Sequence, residues 1–176
     1  MDIKTIASRT VYKNRWMTVR EDTIEREDGS TGIYGVVDKP DFVIVIPLEG
    51  ERVYLVEQFR YPVKGRFWEF PQGSWEQEPG VDPVTVARGE LQEETGLHAG
   101  SMEYLGYLYS AYGYASQGMH VFLATNLSEG ERYLTPEEQD LIVASFPLTE
   151  FEGMISKGQI KDAATLAAYT LLKAQK

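Results

Sequence analysis

The alternation of apolar and polar positions predicts that the chain opens with strands and turns. In "TVYKNRWMTVREDTIE" the alternation is partial, and "REDGSTG" is a turn signal before "IYGVV". Two clearer strands follow, "DFVIVIPL" over 41–48 and "RVYLVEQFRY" over 52–61, separated by the turn "EGE". The run "FVIVIP" is apolar on both faces, as in a strand covered from two sides. "FWEFPQGSW", 67–75, predicts a short strand running into a loop.

A helix comes next, with marked ends. Asp82 suits an N-cap, Pro83 a first helical residue and Gly96 the C′ position. Val84, Ala87 and Leu91 fall on one face at helical spacing, and Glu90, Glu93 and Glu94 are expected on the opposite one. "MEYLGYLYS" and "MHVFLATNL" (119–127) predict strands around the loop "AYGYASQG". An acidic loop spans 127–140, and "LIVASFPL" (141–148) predicts the last strand. Thr149 is placed to cap a short helix, "EFEGMISKG", and Asp162 to cap a final one, "AATLAAYTLLKAQ". Strands interleaved with helices predict an α/β layered fold, and the hairpin-forming neighbours predict a mixed sheet.

Composition narrows the function. The 176 residues suit a full hydrophobic core, with 43% apolar and 25% charged residues. A formal net charge of −10 argues against non-specific nucleic-acid or anionic-membrane binding. It leaves an anionic substrate open, because a bound cation inverts local charge. With no cysteine there is no disulfide, thiolate nucleophile or Cys-based zinc site. The N-terminus lacks the apolar run of a signal peptide, and no stretch approaches a membrane span, so a cytoplasmic location is expected.

Glu90, Glu93 and Glu94 stand at i, i+3 and i+4, where like charges repel. A solvated helix face tolerates such a trio. On an anchored helix preceded by the glycine-containing loop "FPQGSW", the same carboxylates make a site for a hard divalent cation such as Mg²⁺.

The segment from Gly73 to "GELQEETGL", ending at Leu97, resembles the Nudix box, Gly-x5-Glu-x7-Arg-Glu-apolar-x-Glu-Glu-x-Gly-apolar. Glu90, Leu91, Glu93, Glu94, Gly96 and Leu97 match. Gly89 stands for the box arginine, Val81 for the first box glutamate, and the spacing from Gly73 is two residues longer. "EQFRYP" before the box and "FPLTEFEGMISKGQIKDAATLAAYTLL" after it resemble the ADP-ribose and nucleotide-sugar pyrophosphatase branch. Gly89 calls for a reason, since glycine destabilises a helix interior by roughly 1 kcal/mol relative to alanine. Close backbone approach is one reason and drift the other.

The resemblance implies a Nudix-type α/β/α sandwich over 40–176 with a mixed β-sheet, preceded by a strand-rich N-terminal arm, 1–39. It implies metal-dependent hydrolysis of a nucleoside diphosphate sugar to nucleoside monophosphate and sugar phosphate, with Mg²⁺ or Mn²⁺ as cofactor. Glu90 and Glu94 are the first expected metal ligands, Glu93 the third, and the backbone carbonyl of Gln72 a further one. The general base is expected at Glu137 or Glu138 in "TPEEQD", with Glu93 as the alternative. Arg60 is expected to contact a phosphate bidentately, and Glu69 to support the site. Trp16, Tyr34 and Trp68 either stack on a base or fill a core; core is expected for each, with Trp16 the one candidate for substrate contact. His120 is read as a strand residue rather than a ligand.

ADP-ribose hydrolases of this branch often carry a proline some fifteen residues after the box, where this chain has "SAYGYAS". GDP-mannose and similar sugar nucleotides therefore stand beside ADP-ribose. "EFPQG" is also similar to Nudix enzymes acting on dinucleoside polyphosphates or capped RNA, and the acidic net charge with no basic stripe argues against RNA. A catalytically silent nucleotide-sugar sensor on a Nudix scaffold is the reading from another class, favoured by Gly89 and Val81 and opposed by the three retained glutamates. Branch members commonly form dimers in which N-terminal strands contribute to the partner's site, so a homodimer is expected.

Overall fold

The computed structural model describes residues 3–75, 80–134 and 139–175. Contacts divide the chain into two compact units. One holds the strands up to Asp41 together with residues 109–118; the other holds Phe42–Leu108 and the chain from Met119 onward.

The first unit is an antiparallel sheet in the order β1-β2-β3, formed by β1 (Lys4–Lys13), β2 (Thr18–Glu25) and β3 (Thr31–Asp38). Segment 109–118 joins it through Val37, whose N–H donates to Tyr114 O at 2.8 Å, and through Tyr34, whose hydroxyl donates to Gly113 O at 2.8 Å. Trp16 and Tyr34 do not fill a core here: they are 44% and 42% exposed. Trp16 sits in the turn after β1 with the Arg15 guanidinium 4.0 Å from its ring centroid.

In the second unit, β4 (Phe42–Glu49) is central. It pairs in parallel with β9 (Gly118–Glu129) and antiparallel with β5 (Arg52–Arg60) and the two-residue β7 (Gln72–Gly73). The sheet order is β10-β5-β4-β9-β8, with β6 (Gly65–Glu69) on β5; β8 is Leu97–Tyr109 and β10 Ile142–Pro147. The mixed sheet follows from the parallel β4–β9 pair beside the antiparallel pairs made by β4 and β5.

The unbroken apolar run of β4 serves two cores. Val43 and Val45 pack under helix α1 (Pro83–Thr95), whereas Ile44, Ile46 and Leu48 pack under α2 (Leu148–Ser156) and α3 (Ala163–Ala174). Trp68 belongs to the second core, edge-on to Phe146 with centroids 5.1 Å apart. Among the described residues no helix is long and apolar enough to cross a membrane.

The helix ends follow local chemistry. The Asp82 carboxylate accepts from Val84 N at 3.1 Å, and Gly96, at φ 73°, donates to Gln92 O at 2.8 Å. Asp162 caps α3 by accepting from Thr165 N at 2.8 Å. Thr149 is not a cap: α2 starts at Leu148 with Pro147 as N-cap, because Pro147 ends β10 with extended backbone and the chain turns directly into the helix.

Candidate active site

Helix α1 turns two of its three glutamates toward the core, not away from it. Glu90 is 5% and Glu94 1% exposed, and both lie on the buried face with Val86, Ala87 and Leu91. Positions one, four, five and eight residues after Val86 form one continuous arc of a helix, and the two carboxylates are inside it. Glu93 is half-buried. The expected opposition between apolar and acidic faces is thus corrected for two of the three.

What lies against them is the Gln72–Gly73 segment, held to the sheet by pairing with Ile44 and Val43. A Cβ built on Gly73 would stand 2.4 Å from Glu90 Oε2, so a larger residue at 73 would displace the carboxylate from the backbone. Gln72 N donates to Glu94 Oε2 at 3.0 Å. Two carboxylates one helical turn apart, withdrawn from water, repel each other and carry a desolvation penalty.

The second half of the site is built on the β5–β6 hairpin. Glu69 is 1% exposed and accepts from the Arg60 guanidinium, from Nε at 3.1 Å and from one Nη, and from Gln58 Nε2 at 2.8 Å. Burial pushes the Glu69 carboxyl above the ordinary glutamate range; Arg60 opposes this without cancelling it, and Asp162 adds to it. The Arg60 side chain is itself 40% exposed, so its head is oriented by a buried partner while remaining open to a ligand.

Both halves meet at Gln72. Its backbone reaches Glu94, its side-chain amide donates to Asp162 Oδ2 at 3.2 Å, and beside Glu69 that amide weakly lowers the carboxyl's pKa against the effect of burial. Asp162 accepts in turn from Thr165 Oγ1 at 2.7 Å, and that hydroxyl accepts from Phe70 N at 2.9 Å. This chain ties the start of α3 to the turn between β6 and β7.

The structure therefore brings together Arg60, Glu69, Gln72, Glu90 and Glu94. Trp16 belongs to the N-terminal unit. Glu137 and Glu138 lie outside the described residues. The chain on either side of them is anchored. Arg132 donates to Glu94 O at 2.7 Å and to Leu141 O at 2.9 Å, and Arg66 donates to Asp140 O at 2.7 Å. Gln58 and Asp162 were not readable as site residues. Asp162 shows its capping role in sequence, but its contact with Gln72 spans ninety positions.

Among the described residues no three His, Cys, Asp or Glu side chains are grouped to hold a metal by themselves. Glu90 and Glu94 nevertheless fit a hard divalent ion. Both present carboxylate oxygens, and Mg²⁺ is commonly held by one or two carboxylates, with water and substrate phosphate completing its shell. The bare Cα of Gly73 leaves the room that the Glu90 carboxylate occupies.

Comparison with known proteins bears on this arrangement. Residues 3–37 match the family described as the nucleoside diphosphate sugar hydrolase N-terminal domain, and residues 38–169 match the NUDIX domain. The chain is 30% identical to a methanol dehydrogenase activator of Bacillus methanolicus, over 98% of this chain and 93% of that protein. It is 28% identical to an ADP-ribose pyrophosphatase of Bacillus subtilis, over 98% and 94%. With a GDP-mannose pyrophosphatase of Citrobacter koseri the identity is 29%, over 70% and 68%. The fold is similar to the crystal structure of an ADP compounds hydrolase, with a TM-score of 0.88 and 21% identity over 99% of this chain and 94% of that one.

Proposed function

The chain belongs to the Nudix family, as a pyrophosphohydrolase of the nucleoside diphosphate sugar hydrolase group, and from that premise we propose that it hydrolyses the pyrophosphate of a sugar nucleotide such as ADP-ribose or GDP-mannose. The products are a nucleoside monophosphate and a sugar phosphate. The observation that carries this reading is the meeting at Gln72–Gly73 of two buried carboxylates, Glu90 and Glu94, with the Glu69-held Arg60.

Glu90 and Glu94 would hold Mg²⁺ or Mn²⁺, with Glu93 and the Gln72 carbonyl as further ligands. When bound, the ion neutralises pyrophosphate charge and lowers the pKa of water. Arg60 binds a phosphate through the N–H groups that Glu69 leaves exposed, and Glu69 fixes its orientation. Glu137 or Glu138 acts as general base, with Glu93 as the alternative. The ties from Arg132 and Arg66 support the first choice, because they fasten the flanks of that acidic segment to the end of α1 and to β6.

A homodimer built through the N-terminal unit is part of the proposal. Ile6, Val11 and Tyr12 on β1 are each more than half exposed, an apolar edge suited to a second copy. Light scattering that returns a single-chain mass at micromolar concentration would count against it.

The test of function is incubation with ADP-ribose, GDP-mannose, ADP-glucose and UDP-glucose, with and without Mg²⁺, beside Glu94→Gln. Phosphorus NMR identifies both products. Metal-dependent release of a nucleoside monophosphate, lost in the variant, is expected. Binding of these compounds without turnover under Mg²⁺ or Mn²⁺ would sink the reading.

A further inference from the structure

Val81 and Gly89, the two positions that depart from the Nudix pattern, both adjoin the surroundings of a residue the pattern does not specify, Trp75. A Cβ built on Gly89 would stand 2.2 Å from Cζ2 and 2.8 Å from Cη2 of the Trp75 ring. The indole therefore lies on the bare backbone of α1, and the absent side chain is the opening that admits it. Trp75, Val81 and Val84 all pack on the apolar cluster that contains Val43, Val86 and Ala87.

The consequence for the site is one of leverage. Gly89 immediately precedes Glu90, and Trp75 follows Gly73 by two residues. A ring seated on position 89 pins the segment that touches both Glu90 and Glu94. A charged pair at 81 and 89 would join loop to helix by attraction; here burial of apolar surface takes that part. A glycine inside a helix is unfavourable by itself, and the ring packed against it supplies the compensation. Gly89 is thus explained by close approach rather than drift.

We propose that Trp75, seated on Gly89 and packed on the same apolar cluster as Val81, is a positioning residue that holds Gln72–Gly73 against the metal-binding carboxylates. The proposal rests on the metal reading of Glu90 and Glu94 given above.

The test uses Mn²⁺ itself as probe, its free concentration followed by electron paramagnetic resonance, on the full chain with thermal melting recorded alongside. Trp75→Ala is expected to weaken Mn²⁺ binding by about 10-fold or more, the scale seen when groups that orient metal ligands are lost. Trp75→Phe should retain most of the affinity. Gly89→Ala favours the helix yet should weaken Mn²⁺, because its methyl displaces the ring. Added to Trp75→Ala, it should do no further harm. A merely structural ring would shift the melt without this coupling in metal affinity. Unchanged Mn²⁺ affinity in Gly89→Ala overturns the proposal whether or not Trp75→Ala folds. Equal weakening by Gly89→Ala in both backgrounds overturns it as well. Wild-type protein that binds no Mn²⁺ instead overturns the metal reading, and this inference falls with it.

Discussion

Gly73 and Glu90 are in such close approach that a methyl group on residue 73 would come within 2.4 Å of Glu90 Oε2. Glu90 is 5% exposed, so its carboxylate has little room to withdraw. Gly73→Ala should therefore lower kcat/KM by about 100-fold, the scale of a misplacement of about 1 Å in a reacting site. The melting temperature should move much less. Steady-state kinetics with the preferred sugar nucleotide checks this, and activity within about threefold of wild type would refute it.

Glu90→Gln tests the metal ligand set. Adding Mn²⁺ should raise the melting temperature of wild type and leave the variant unmoved, since a ligand stabilises only a fold that binds it. A variant stabilised by Mn²⁺ as much as wild type would remove Glu90 from the ligand set.

Glu69 makes stability depend on pH in a definite direction. Its folded pKa is raised above the ordinary 4.5, chiefly by burial. Its contribution is fully present below that ordinary value and is lost as pH rises through the folded value. Denaturant melts of wild type and Glu69→Gln across about pH 4 to pH 8 should show the wild type losing ground to the variant as pH rises. A constant difference across the range would contradict the assignment.

Thr165 is fully buried and its hydroxyl serves Phe70 N and Asp162 at once. Thr165→Val keeps the shape and removes both bonds. The unmet Phe70 N–H should cost about 1 to 3 kcal/mol, read as a lower denaturation midpoint at unchanged slope. Because Asp162 also anchors the Gln72 side chain, kcat/KM should fall too. A midpoint equal to that of wild type would refute the account.

Much of the local structure was legible in neighbouring residues, the start of α2 excepted. Asp82, Pro83 and Gly96 mark α1, and Asp162 marks α3, because a cap acts within about four residues of its own position. The unbroken apolar run of β4 announced a strand covered on both faces, and the family pattern singled out Glu90 and Glu94. Tertiary structure decided what those carboxylates face. Their burial was latent in the helical spacing from Val86, but charge alone suggested solvent, and it is the docking of Gln72–Gly73 that brings a backbone N–H to Glu94 on the buried side. The seat of Trp75 on Gly89 and the reach of Asp162 to Gln72 depend on which strands lie side by side. Contacts of that range are set by sheet order and by side-chain volume meeting empty space, neither of which is written in any window of neighbouring residues.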